Sequence, residues 1–78
     1  MAELKVIIDD RCPACRILIS ILSKAGVKYD VEFFDPSKHK DFISRCGMIP
    51  IIIYRGKVLC GLPLSEIEKI ISEMSKHD

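Results

Sequence analysis

Asparagine, glutamine, threonine and tryptophan are absent from this 78-residue chain. Asparagine and glutamine are thermolabile, so their absence fits a thermophilic source. The sequence also contains no apolar run near the ~18 residues that a transmembrane helix needs. Its first residues, MAELK, do not follow the pattern of a signal peptide. We therefore expect a cytoplasmic protein that does not enter the membrane.

Charge and composition further restrict the class of protein. The formal net charge is +1, and basic residues are interleaved with acidic ones, so we do not expect nucleic acid as a partner. Hydrophobic residues make up 49% of the sequence, which favours a folded core over disorder. This length is near the lower limit for folding on an apolar core alone. We expect one domain over residues 1–78, acting as a monomer.

Hydrophobic periodicity predicts seven elements in the order β-α-β-α-β-β-α. The first four are a strand at 4–8, a helix at 13–25, a strand at 28–34 and a polar helix that begins at 35–37. The last three are a hairpin of strands 51–54 and 57–60, then a helix on which Ser65 and Glu68 have capping-box spacing. The βαβ unit makes the first two strands parallel, and the hairpin makes the last two antiparallel. We predict an α/β fold with a four-stranded mixed sheet and helices on both faces.

The most informative motif is Cys12-Pro13-Ala14-Cys15, between the first strand and the first helix. Proline is favoured at the first helical position, so we predict that Cys12 is the N-cap and Cys15 the third helical residue. Unpaired N–H groups and the helix dipole favour negative charge there and lower the pKa of a cysteine. The flanking Arg11 and Arg16 favour a thiolate further.

A dithiol at a helix terminus predicts a thiol–disulfide oxidoreductase. In this hypothesis Cys12 attacks a protein disulfide and Cys15 resolves the mixed disulfide. The alternative from another class is a zinc-binding interaction module, which needs four ligands. Cys46 and Cys60 are far apart in the sequence, and we interpret them as structural free thiols. The alternatives are a disulfide between them, if the source is a hyperthermophile, and a redox role.

Histidine and aromatic residues offer no further site. His39 and His77 are interpreted as solvated side chains on a polar helix and a tail, since neither has the spacing of a ligand set. Phe33 and Phe34 end the second strand, and we assign them to the core and its rim. Function is therefore expected to depend on the cysteine motif.

The element order and the CPAC motif resemble a glutaredoxin-type member of the thioredoxin fold over nearly the whole chain. Further shared marks are Ile49-Pro50 before the third strand and Gly61 after the fourth. The resemblance implies a cis Pro50 beside the dithiol, and an Ile49 backbone that pairs with an extended substrate segment. Cys12 and Cys15 are then the catalytic pair. We assign substrate contacts to the surrounding residues Arg11, Pro13, Ala14, Ile49, Pro50 and Gly61.

The expected reductant follows from two departures from that family. Glutaredoxins that use glutathione usually carry tyrosine where this chain has Ala14, and a polar, acidic segment where residues 61–65 read GLPLS. Removing a polar partner from the site of a charged ligand weakens binding by about 1–3 kcal/mol. The apolar residue after Gly61 resembles redoxins that are reduced by thioredoxin reductase. We therefore expect a thioredoxin-reductase-type donor, disulfide-containing protein substrates and no bound cofactor. The alternative is a glutathione-dependent glutaredoxin, some of which hold a [2Fe–2S] cluster.

Overall fold

A computed structural model describes residues 3–75 of the chain. The elements are β1 (Leu4–Ile8), α1 (Pro13–Ala25), β2 (Asp30–Phe33), α2 (Lys40–Cys46), β3 (Ile51–Tyr54), β4 (Lys57–Cys60) and α3 (Leu64–Ser75). Their order is the predicted one. Among residues 3–75, no helix combines the length and the apolar character that crossing a membrane requires.

The four strands form one mixed sheet in the order β2-β1-β3-β4. β1 runs parallel to β2 and antiparallel to β3, with Ile7 opposite Ile51. β3 and β4 form an antiparallel hairpin, in which Arg55 and Gly56 both have positive φ. Positive φ at both turn residues matches the right-handed twist of the flanking strands. The predicted α/β architecture is confirmed.

The main core lies between one face of the sheet and the helices α1 and α3. Alternate residues of a strand point to the same face, so Leu4 and Val6 of β1 lie together on this face. They pack with Leu18 and Leu22 of α1 and with Ile67 of α3. All five side chains are at most 2% exposed. This packing fixes α1 on the sheet, and with it the position of the helix start.

Both ends of α2 are attached to the opposite face of the sheet. Ile7 is fully buried there, and Glu32 is its register partner on β2. His39, which precedes α2, contacts Glu32, and Cys46, which ends α2, is bonded to Cys60 of β4. Helices therefore lie on both faces of the sheet, as predicted.

His39 differs from its sequence interpretation, which placed it in solvent. The residue is only 2% exposed. Its Nδ1 accepts the backbone N–H of Asp35 at 2.9 Å, and its Nε2 lies 3.0 Å from Glu32 Oε1. Because Nδ1 is an acceptor, Nε2 carries the proton and donates it to Glu32. Both ring nitrogens are satisfied, so burial against the Phe34 ring is tolerated.

Glu32 is the centre of a charged cluster on this face. Its carboxylate lies 2.6 Å from Lys38 Nζ and 3.2 Å from Lys5 Nζ. Hydrogen bonds from Lys38, then from His39 and Lys5, lower the pKa of Glu32 from 4.5 to about 2. The carboxylate is therefore ionised throughout the neutral range.

Two predicted boundaries are displaced around the turn that joins β2 to α2. β2 occupies only Asp30–Phe33 of the predicted 28–34, and α2 begins at Lys40 instead of at 35–37. The Asp35 carboxylate accepts the backbone N–H of Ser37 at 2.9 Å. Aspartate bonded in this way to the backbone two residues on stabilises a turn that competes with helix.

The last helix also begins earlier than its capping pattern indicates. α3 starts at Leu64, and the N–H of Ile67 donates to the carbonyl of Pro63 at 3.0 Å. The capping box predicted at Ser65 is therefore wrong, because Ser65 already lies inside the helix. The sequence interpretation of His77 lies outside the described residues.

Candidate active site

Cys12 caps the N-terminus of α1. Its backbone is extended, with φ −100° and ψ 110°, and Pro13 is the first helical residue. The backbone N–H of Cys15 donates to Cys12 Sγ at 3.2 Å, and the N–H of Arg16 donates to the Cys12 carbonyl at 3.3 Å. The sulfur thus takes one of the N–H groups that a helix start leaves unpaired. The predicted capping geometry is confirmed.

The start of α1 places positive partial charge beside this sulfur. A hydrogen bond from a backbone N–H strengthens when its acceptor is charged, and the helix dipole acts in the same direction. None of the residues in the first turn of α1 is acidic. Arg11 and Arg16 are exposed on either side of the motif. The first turn of α1 therefore sets no acidic side chain beside the Cys12 sulfur.

Cys15 is more deeply buried than Cys12. Cys15 is 1% exposed, whereas Cys12 is only partly buried. Burial, followed by a hydrogen bond with Cys12, raises the pKa of the Cys15 thiol from 9.0 to about 11. The two sulfurs are not bonded to each other in this structure. Cys12 is therefore partly accessible to solvent, while Cys15 is buried and its raised pKa keeps it protonated at neutral pH.

The third component of the site is the segment before β3. The Ile49–Pro50 peptide bond is cis, as the resemblance implied. The carbonyl oxygen of Ile49 lies 3.9 Å from Cys12 Sγ. The Pro50 carbonyl accepts the N–H of Gly61 at 2.9 Å. Gly61 has φ 75°, and a Cβ at this position would lie 3.1 Å from Met48 Sδ, so a larger residue would be strained here, first of all by its backbone conformation.

The sheet brings these distant residues to one end of the molecule. Cys12 follows the carboxyl end of β1, Pro50 precedes the amino end of β3, and Gly61 follows the carboxyl end of β4. Because β3 is antiparallel to both neighbours, these three strand ends coincide. The other predicted contact residues lie on the approach to α1, where Arg11 and Pro13 are exposed and Ala14 is partly buried.

An open groove that the sequence did not reveal borders the dithiol. Its volume is about 600 Å³, and it is lined by Ile8, Asp9, Asp10, Cys15, Arg16, Ile19, Ser20 and Phe33. Phe33 is 59% exposed, although the sequence pattern placed it at the core or its rim. The parallel register sets Phe33 beside Ile8, just before the cysteine motif. The groove depends on this register, which no local sequence pattern specifies.

Cys46 and Cys60 form a disulfide, so their interpretation as free thiols is wrong. Their Cα atoms are 5.3 Å apart, within the range of protein disulfides. The sequence separation of 14 residues concealed that α2 ends against the sheet face that carries Cys60. A four-cysteine zinc site would need both of these thiols. Within residues 3–75, no group of three or more potential ligands is placed to hold a metal.

Solved structures with this architecture include three redoxin-type proteins. The chain is similar to a glutaredoxin from Archaeoglobus fulgidus, with 20% identity and a TM-score of 0.72 over 91% of this chain and 87% of that one. It is also similar to a variant of a thioredoxin-like protein, with 22% identity and a TM-score of 0.72 over 92% and 97% of the two chains. A wheat glutaredoxin matches with 14% identity and a TM-score of 0.74 over 99% and 82%.

These likenesses define the class of fold. The chain has a glutaredoxin-like thioredoxin fold, as its element order and motifs predicted. No protein-family model and no curated protein sequence matches it.

Proposed function

We propose that this protein is a thiol–disulfide oxidoreductase that reduces the disulfides of other proteins. The asymmetry of the two cysteines is the observation that carries the proposal. Cys12 is accessible and accepts a helix N–H at 3.2 Å, whereas Cys15 is buried and its pKa is raised to about 11. Since the thiolate is the attacking species, Cys12 is the nucleophile and Cys15 the resolving thiol.

In the first step, the Cys12 thiolate attacks one sulfur of a substrate disulfide. A Cys12–substrate bond forms, the substrate S–S bond breaks, and the second substrate sulfur leaves as a thiolate. At this stage Cys15 is still protonated, because burial and its contact with Cys12 both oppose its ionisation. The Cys12–Cys15 bond cannot form at this stage in any case, because its formation needs an electron acceptor, and the substrate disulfide is that acceptor.

The second step releases the substrate. When Cys12 enters the mixed disulfide it loses its charge, and with it the repulsion that helped to raise the pKa of Cys15. Cys15 can then transfer its proton to the departing substrate thiolate and attack Cys12 Sγ. The Cys12–Cys15 bond forms and the mixed disulfide breaks. The substrate gains two electrons and leaves as a dithiol.

Two surfaces near the dithiol, one beside Cys12 and one bordered by Cys15, suit an extended protein segment. The Ile49 carbonyl lies next to the sulfur, where it can accept a backbone hydrogen bond from a substrate strand. The second surface is the groove, where the exposed Phe33 ring and the side chains of Ile8 and Ile19 line the wall. Exposed aromatic side chains supply much of the binding energy at protein interfaces. These features support a protein substrate over a small one.

The segment after β4 favours a thioredoxin-reductase-type donor over glutathione. Residues 61–65 include no carboxylate that could hold a glutathione amino group. The next acidic residue, Glu66, lies 3.6 Å from Lys57 Nζ and 3.7 Å from Lys69 Nζ. Its charge is therefore already paired. A glutathione-dependent glutaredoxin is the second candidate, because the overall fold is shared with glutaredoxins.

A coupled assay with insulin as the disulfide substrate tests both parts of the proposal. One arm supplies NADPH with thioredoxin reductase, and the other supplies glutathione with glutathione reductase. We expect turnover in the first arm and little in the second. Rapid turnover with glutathione alone would replace the proposed donor by glutathione, leaving the reaction itself in place.

Two matched variants test the assigned roles. Cys12→Ser is expected to abolish insulin reduction, because no other accessible thiolate caps α1. Cys15→Ser is expected to accumulate a covalent mixed disulfide, visible by mass spectrometry as the mass of protein plus substrate. Activity in both variants would contradict the mechanism. Stoichiometric tightly bound zinc in the purified protein would favour the interaction-module alternative instead.

A further inference from the structure

We propose that the Cys46–Cys60 disulfide is a second thiol–disulfide exchange site, which accepts two electrons from the dithiol of a redox protein while the chain stays folded. The disulfide joins the end of α2 to the end of β4. It takes no part in the reaction proposed at Cys12. The inference goes beyond that function and does not depend on it.

The position of this disulfide is the first argument. Cys60 ends β4 directly opposite Ile51, the residue after Pro50. The next residue, Gly61, donates its N–H to the Pro50 carbonyl. The disulfide therefore lies at the same end of the sheet as Cys12, on the far side of Pro50. The two sites therefore share one end of the sheet, with α1 on one face and the disulfide on the other.

The exposure of Cys60 is the second argument. β4 is an edge strand of the sheet, and Cys60 is exposed to solvent whereas Cys46 is partly buried. Attack by a thiolate on a disulfide requires access to one of its sulfurs. The exposed residue Cys60 therefore sets the side from which a donor approaches the disulfide. Cys46 is then the leaving group.

The third argument is that this bond can open without disturbing the core. Neither cysteine belongs to the main core cluster, and α2 contributes no fully buried residue of its own. After reduction, pairing with Ile51 still holds Cys60, and the His39 contacts still hold the start of α2. The contacts that hold Cys60 and the start of α2 therefore do not depend on the disulfide.

The exchange balances as a two-electron reaction. A thiolate of the donor attacks Cys60 Sγ, so a donor–Cys60 bond forms, the Cys46–Cys60 bond breaks, and Cys46 leaves as a thiolate that takes up a proton. The second donor thiolate then attacks the donor sulfur of that mixed disulfide and releases Cys60. The donor leaves as a disulfide, and this chain holds two further thiols.

The decisive experiment uses the Cys12→Ser/Cys15→Ser double variant of the full chain, with its remaining disulfide oxidised. Dithiothreitol is the dithiol probe, and thiols are counted by alkylation and mass spectrometry. We expect two alkylated cysteines in native buffer, at a rate within about tenfold of that in concentrated guanidinium chloride, because Cys60 is already exposed. The far-ultraviolet circular dichroism should stay native. A larger slowing in native buffer, or loss of the helical signal on reduction, would overturn the proposal.

A stoichiometric titration supplies the matched control. The fully oxidised natural chain should consume two equivalents of dithiol while folded, since it holds the Cys46–Cys60 bond and can close the Cys12–Cys15 pair. The Cys46→Ser/Cys60→Ser variant should consume one. Equal consumption by both proteins would refute a second site. Because the kinetic experiment is done without Cys12 and Cys15, an inactive protein in the insulin assay leaves its result unaffected.

Discussion

Selective alkylation of the reduced protein is the sharpest test of the cysteine asymmetry. Burial, followed by the contact with Cys12, raises the pKa of Cys15 from 9.0 to about 11. At pH 7 only about one Cys15 in ten thousand is then ionised, roughly 100-fold fewer than for an ordinary thiol. Its 1% exposure slows a reagent further. Cys12 should therefore react with iodoacetamide at least about 100-fold faster than Cys15.

The assay follows each cysteine separately. Reduced native protein is quenched at intervals, digested, and analysed by mass spectrometry for the two modified sites. In the folded protein, the rate at Cys15 should rise about tenfold per pH unit up to a pH near its pKa. In concentrated guanidinium chloride the two rates should converge, because burial and the helix start are both lost. This unfolded sample is the internal control for reagent preference.

A specific result would refute the asymmetry. If Cys15 reacts as fast as Cys12 at pH 7 in the folded protein, Cys15 is neither buried nor held protonated. The order of attack in the proposed mechanism would then have no physical basis. Faster reaction at Cys15 than at Cys12 would reverse the two roles.

Three further predictions concern charge, the groove and the disulfide. Glu32→Gln removes a carboxylate whose pKa is lowered from 4.5 to about 2. The ionised carboxylate stabilises the fold fully above the unfolded pKa of 4.5, and this stabilisation is lost as the pH falls towards 2. The difference in Tm between the variant and the natural chain should therefore be constant above about pH 5 and should disappear at low pH. Phe33→Ala should raise KM for a protein substrate by roughly tenfold. The control is Ile17→Ala, because Ile17 is 50% exposed but lies outside the groove, and this variant should leave KM unchanged. Equal effects of the two variants on KM would exclude the groove from substrate binding. Replacing Cys46 and Cys60 by serine removes a cross-link with a sequence separation of 14. This should lower the free energy of unfolding by about 3 kcal/mol and Tm by roughly 12–24 °C. An unchanged Tm would show that the bond does not constrain the unfolded chain.

Local chemistry explains why much of this protein was predictable from its sequence. β1, α1, β3 and β4 have the predicted boundaries, because hydrophobic periodicity, Pro13 at the helix start and Gly26 after its end are signals carried by neighbouring residues. The placement of Cys12 and Cys15 was predictable from the same kind of local signal. A cysteine followed by proline at the start of an apolar helix determines which sulfur caps the helix and which lies one turn inside.

Contacts between distant segments decided the rest. The burial of His39 depends on Glu32 and Asp35 satisfying both of its ring nitrogens, and no local pattern specifies that pairing. The Cys46–Cys60 bond forms because the end of α2 packs on the face of β4 that carries Cys60. Phe33 becomes a groove wall only because β2 is an edge strand beside β1. Sequence periodicity reports which side of an element is apolar, whereas sheet order and register determine what that side meets.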